Sequence, residues 1–145
     1  MSEVNVWICP ASYDNLKFSI MNTTLYDNKQ VYMWALNARR KNSWNKIKKG
    51  DICIFGGMTN GWKYFSRVSK KIEINQEHWP FKSPTMTLWK YGFTLDEPNE
   101  ISITGDDMRR IMSWNTKQCW QTQTLLSSYN RDKILELLKN YGHSA

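Results

Sequence analysis

Residues 47–55 read IKKGDICIF: a cationic pair, a Gly-Asp turn, then four apolar residues in a row. Gly50-Asp51 should turn the chain tightly, and ICIFGG (52–57) carries no charge, which predicts a strand buried on both faces. Downstream, Asn60-Gly61 is a hairpin signal. WKYFSRVSKKIEI (62–74) is then the return strand, alternating at Tyr64, Ser66, Val68 and Lys70. Upstream, KQVYMWAL (29–36) is rich in β-formers. In NARRKNSWNKIKKGD (37–51), Trp44 and Ile47 are spaced as one face of a short amphipathic turn requires. Residues 32–49 thus hold two tryptophans and six cations without one acid, directly ahead of a buried strand.

The flanks complete an α+β pattern. VNVWICPASYD (4–14) is a strand ended by Pro10, and NLKFSIMNTTLY (15–26) a short helix with Leu16, Ser19 and Ile20 turned inward. NQEHWPFKSPTMTLW (75–89), with two prolines, reads as a loop crossing the sheet, and KYGFTLDEPNEISI (90–103) as a strand and turn. TGDDMRRIM (104–112) pairs Thr104 with Asp107 as a capping box ahead of a Met108, Ile111, Met112 stripe. CWQTQTLLSS (119–128) is a further strand. YNRDKILELLKNYG (129–142) is a helix with Asn130 as N-cap, one face of Ile134, Leu137, Leu138 and Tyr141, and Gly142 as its stop. Trp7 and Trp120 belong to the core, and Trp62 to a sheet face.

The 145 residues make one domain, 1–145, with no repeat or linker. A 41% hydrophobic content excludes a disordered chain, and no run is long enough to span a membrane or open a secretory signal. The expectation is a soluble, cytoplasmic protein without a membrane partner. Cys9, Cys53 and Cys119 lie far apart with no CxxC, and only His78 and His143 could join them. No disulfide, metal or cofactor is expected. Residues 1–71 carry 12 Lys/Arg against 4 Asp/Glu, whereas residues 72–145 carry 8 against 9. One basic half is the footprint of a polyanion partner, and nucleic acid is favoured over an unpartnered soluble surface.

The ordered set of VWIC, an Asn/Ser-bearing loop, VYMWALN, the basic segment, IKKGDICIF, a hairpin and a last helix resembles the EVE/YTH branch of the PUA-like superfamily. The likeness covers about residues 4–141 and is sharpest over 4–72. IKKGDICIF is similar to the GD-strand signature of EVE domains, with Gly56 where their strand ends in tyrosine. VYMWALN is similar to the segment that carries the first cage tryptophan in YTH domains. The resemblance implies a compact PUA/EVE-like β-barrel of roughly five to six strands flanked by short helices. It also implies a non-catalytic nucleic-acid reader akin to the N-terminal domains of methylation-dependent restriction GTPases. CPASYDN (9–15) departs from the YTH loop pattern, which favours DNA over RNA.

On that resemblance, a modified base, methylated by expectation, is flipped into an aromatic cage, because a base cannot be inspected all round within a duplex. Trp34, Trp79 and Trp89 are the expected cage residues, with core packing or loop pinning as the alternative. Ser12, Tyr13, Asp14 and Asn15 are candidates for reading the base edge, or else they cap an ordinary turn. Arg39, Arg40, Lys41, Lys46, Lys48 and Lys49 would grip phosphates, unless they form a solvated helix face. A fused or associated GTPase or nuclease is the implied partner. The competing readings are a YTH-like RNA reader of methylated adenine, an ASCH-like nucleic-acid-processing enzyme and a peptide-binding module with exposed tryptophans.

Overall fold

The Gly-Asp turn is held by a buried carboxylate in the computed structural model of this chain, which describes residues 4–37, 40–57, 60–74, 89–112, 124–126 and 128–140. Asp51, only 2% exposed, accepts hydrogen bonds from Trp7 Nε1 at 3.1 Å, the Lys48 backbone N–H at 2.9 Å and the Asn5 backbone N–H at 3.3 Å. Gly50 supplies the positive φ of +92° that the turn needs. One side chain therefore ties the start of the first strand to the basic turn and to the start of the central strand.

The elements in chain order are β1 (Val6–Pro10), α1 (Tyr13–Ser19), β2 (Thr24–Tyr26), β3 (Lys29–Asn37), α2 (Lys41–Lys46), β4 (Ile52–Gly57) and β5 (Gly61–Glu73). They continue with β6 (Trp89–Leu95), β7 (Asn99–Ile103), α3 (Gly105–Ile111), β8 (Thr124–Leu125) and α4 (Ser128–Leu138). The strands form one sheet in the order β2-β3-β6-β5-β4-β1-β8, with β7 branching from β5. β1 and β4 run parallel, Val6 opposite Ile52 through Pro10 opposite Gly56, and the other pairings are antiparallel. The long β5 pairs with β4 and β7 through its first half and with β6 through its second.

Because side chains alternate along a strand, the charge-free β4 fills two cores at once. Cys53 and Phe55 face one core with Trp7, Cys9, Met33, Trp34 and Phe93, under α1 residues Leu16 and Ile20. Ile52 and Ile54 face the other with Val6, Ile8, Trp62 and Phe65, covered by Met108 and Met112 from α3 and its cap and by Ile134 and Leu138 from α4. In the sheet β3 and β4 are separated by β6 and β5, yet Trp34 meets Phe55 edge-on with ring centroids 4.9 Å apart. The sheet must therefore curl over the first core, giving a barrel-like wall whose path stays open between β2 and β8.

The α+β class and flanking short helices are as expected. The eight strands exceed the expected five to six because β2 and β8 span only three and two residues, and β7 is a branch. α1 is capped by Ser12, whose Oγ accepts the Asn15 N–H at 3.2 Å, and α3 by Thr104, whose Oγ1 accepts the Asp107 N–H at 3.0 Å. Asp107 turns its carboxylate to Arg110 at 3.1 Å. Three readings need correction. The segment 15–26 is not one helix: α1 ends at Ser19 and Thr24–Tyr26 form β2 against β3. The expected alternation holds from Tyr64 through Ser66 to Val68 and is broken by a register shift between Val68 and Lys70; a separate shift between Trp62 and Tyr64 puts Trp62 with Phe65 in the helix-side core. Asn130 lies inside α4 because the helix already begins at Ser128; LLSSYN offers several capping-competent residues, and local preference does not choose among them. The loop 75–88, Cys119, Trp120, Tyr141 and Gly142 lie outside the described residues.

Candidate nucleic-acid interface

At the C-terminal ends of β1 and β4 the backbone opens a cleft of about 640 Å³. Ala11 and Leu16 border it on the α1 side, with Met21, 44% exposed, at its rim. The β4–β5 hairpin contributes Gly56, Gly57, Gly61, Lys63 and Tyr64, and β7 contributes Glu100, Ile101 and Ser102. The glycines keep this wall bare. Gly56 has φ +154°, and a Cβ there would lie 2.5 Å from Trp62 Cα and closer still to the Gly61 carbonyl oxygen. A tyrosine, as in the EVE signature, has no room at this position. The Gly56 carbonyl accepts the Ala11 N–H at 2.8 Å, which sews the loop after β1 to the cleft wall.

Of the expected base-edge residues, Ser12, Asp14 and Asn15 occupy the first turn of α1, between the cleft residues Ala11 and Leu16. The Ser12 hydroxyl and the Asn15 N–H satisfy each other, Asp14 is exposed, and the side chain of Tyr13 lies outside the described residues. Capping and cleft placement therefore coexist. Among the expected cage residues, Trp34 is 5% exposed within the first core and does not line the cleft. Trp89 places its backbone in β6 opposite Asn37, but its side chain, like all of Trp79, lies outside the described residues.

The basic segment answers why tryptophan sits among cations. α2 carries exposed Lys41 and Lys46, follows half-buried Arg40, and leads to exposed Lys48 and Lys49; Arg39 lies outside the described residues. Trp44 pins this helix to β6: its Nε1 donates to the Gly92 carbonyl at 2.7 Å and its ring packs 4.8 Å from that of Tyr91. Lys71 Nζ sits 4.8 Å over the same ring and donates to the Trp44 carbonyl at 3.0 Å. One indole thus holds a cationic helix against the sheet. β4 runs from the basic turn to the cleft, so Lys48 and Lys49 precede its start while Gly56 lies about 13 Å along the strand from Ile52.

Sequence reasoning missed Lys63, Tyr64 and Glu100 at the cleft, and Lys71 beside α2. The repeated lysines of SKKIEI were a legible sign for Lys71; nothing local marked Glu100, which reaches the cleft because β7 pairs with β5. Cys53 shows no reactive poise. Burial pushes the Cys53 thiol well above the ordinary thiol range, and the neighbouring Cys9 and the Asp51 charge push it in the same direction. Among the described residues no three His, Cys, Asp or Glu side chains come together to hold a metal, and no helix is long and apolar enough to cross a membrane.

No protein-family model and no curated protein matches the sequence. Solved structures do match its fold. The N-terminal domain of Thermococcus gammatolerans McrB bound to m5C DNA is similar with a TM-score of 0.65 and 13% identity, over 94% of this chain and 98% of that one. The ASCH protein from Zymomonas mobilis is similar with a TM-score of 0.57 and 13% identity, over 91% and 94% of the two chains. A point mutant of that protein gives a TM-score of 0.57 at 12% identity, over 91% and 97%. At these identities the likeness concerns the fold: this chain shares the fold of the McrB N-terminal domain and of the ASCH protein.

Proposed function

We propose that this chain is a non-catalytic nucleic-acid reader that recognises a modified base in DNA by drawing it out of the helix. The carrying observation is the fold shared, over 94% of the chain, with a domain solved on m5C DNA. The net charge of +7, concentrated in the first half of the chain, supports a polyanion partner. Arg40, Lys41, Lys46, Lys48 and Lys49, joined by Lys71 and Lys90, would grip phosphates and supply affinity rather than choice. Arg39 belongs to the same run. The base itself would sit beside the first turn of α1, where Ser12 to Asn15 adjoin the cleft. Trp79 and Trp89 remain the cage candidates that the family resemblance supplies. Trp34 enters this reading as the buried prop of the wall, since a ring that is 5% exposed offers no open face for stacking. A fused or associated GTPase or nuclease would make the domain the specificity module of a modification-dependent restriction system.

The test is a panel of otherwise identical duplexes carrying m5C, hydroxymethylcytosine, N6-methyladenine or no modification, titrated at two salt concentrations. Preference for one modified duplex with a steep salt dependence supports the reading. Equal affinity for every duplex removes the modified-base role, and weak salt dependence removes nucleic acid. The likeness to ASCH proteins favours a second reading, a nucleic-acid-processing enzyme. Turnover of any of these oligonucleotides in magnesium or manganese would establish it.

A further inference from the structure

We propose that the 640 Å³ cleft at the β4–β5 hairpin is the receptacle for the extruded base, with Tyr64 as its stacking wall and Glu100 as the acceptor for an exocyclic amine. This rests on the modified-base reading and narrows its ligand to a methylated base that bears an amine, the 5-methylcytosine class. Tyr64 and Glu100 are direct cross-strand partners in the β5–β7 pairing, which sets their side chains on one face of the sheet. Tyr64 is half-buried against the first core, so its ring is backed by packing while still bordering the cleft. Gly56, Gly57 and Gly61 leave bare backbone, so a flat ring can come close to that wall. Met21, exposed at the rim, adds apolar, polarizable surface suited to a methyl group.

Charge makes the case for Glu100. Neither Glu100 nor Lys63 has an ion-pair partner among the described residues, although both line the same cleft. An acid in a surface meant for DNA repels phosphates and weakens general affinity. Its contribution must then be selective, and a carboxylate accepts from the cytosine amine but repels the carbonyl that thymine shows at the same position. Lys63, exposed at the mouth of the cleft and of a smaller adjoining hollow of about 240 Å³, suits the phosphate beside the extruded nucleotide.

The experiment compares duplexes with m5C, cytosine or thymine opposite the same guanine, bound by the full chain and by Tyr64→Leu, Tyr64→Phe, Glu100→Gln and Trp89→Ala, each checked by thermal melting. The wild type should prefer m5C to cytosine about fourfold, the value of one buried methyl carbon. It should reject thymine although the mismatch makes that base easier to extrude. Tyr64→Leu should lose on the order of tenfold for m5C, and Tyr64→Phe should keep it. Glu100→Gln should erase the discrimination against thymine. Wild-type affinity for m5C in Tyr64→Leu, or undiminished rejection of thymine by Glu100→Gln, overturns the inference, as does a preference that vanishes only with Trp89→Ala. In each of these cases the modified-base reading stands. A wild type that treats all three duplexes alike overturns both.

Discussion

Replacing Trp34 with alanine tests the division between core and binding surface. The indole keeps 5% of its surface exposed, lies among Met33, Phe55 and Phe93 in the first core, and meets Phe55 at 4.9 Å. Truncation leaves an unfilled cavity, and Trp→Ala changes at such sites cost about 3–5 kcal/mol. A domain of this size has only about 5–15 kcal/mol in total, and each kcal/mol shifts the melting temperature by about 3 °C. The variant should melt roughly 10–15 °C lower, with a reduced urea midpoint. Trp34→Phe, which keeps a ring against Phe55, should recover much of the loss. Affinities for m5C and plain duplexes, measured well below the new melting temperature, should keep their wild-type ratio. A variant that melts like the wild type yet loses only its preference for the modified duplex would refute this reasoning and make Trp34 an open cage wall.

Lys46, Lys48 and Lys49 replaced together by alanine should weaken m5C and plain duplexes alike and flatten the dependence of log affinity on log salt by about 0.9 per lost phosphate contact. Selective loss of the modified duplex would show that these lysines read the base. Asp51→Ala leaves the buried Trp7 indole N–H and the part-buried Asn5 and Lys48 backbone N–H groups without their acceptor, so denaturant unfolding should show a loss of about 3 kcal/mol. An undiminished midpoint would mean the turn holds without the carboxylate. The Cys53 thiol, raised in the folded state, holds its proton where the unfolded chain has released it, so stability should decline as pH climbs past about 8.5. Cys53→Ala should flatten that decline relative to its own neutral-pH stability, and a slope that persists unchanged would assign the effect to another group.

Local chemistry made much of the scaffold legible from the sequence. The Gly50-Asp51 turn, the Asn60-Gly61 hairpin and the Thr104 helix start are decided by hydrogen bonds and backbone preferences within a few residues. The charge-free ICIFGG run announced a strand buried on both faces for a similar reason, since no solvated side chain interrupts it. The order of these pieces carried the architecture shared with the McrB N-terminal domain and the ASCH protein. Exposure is a different kind of property, set by whatever segment folds over a residue from elsewhere in the chain. Trp34 and Trp44 stand ten residues apart in the same basic stretch, yet the curl of the sheet seals one against Phe55 and leaves the other to pin a cationic helix beneath Lys71. The cleft likewise exists only because the loop after β1, the β4–β5 hairpin and β7 converge, bringing Ala11, Tyr64 and Glu100 to one hollow. No window of sequence contains those three residues, and long-range strand pairing alone brings them together.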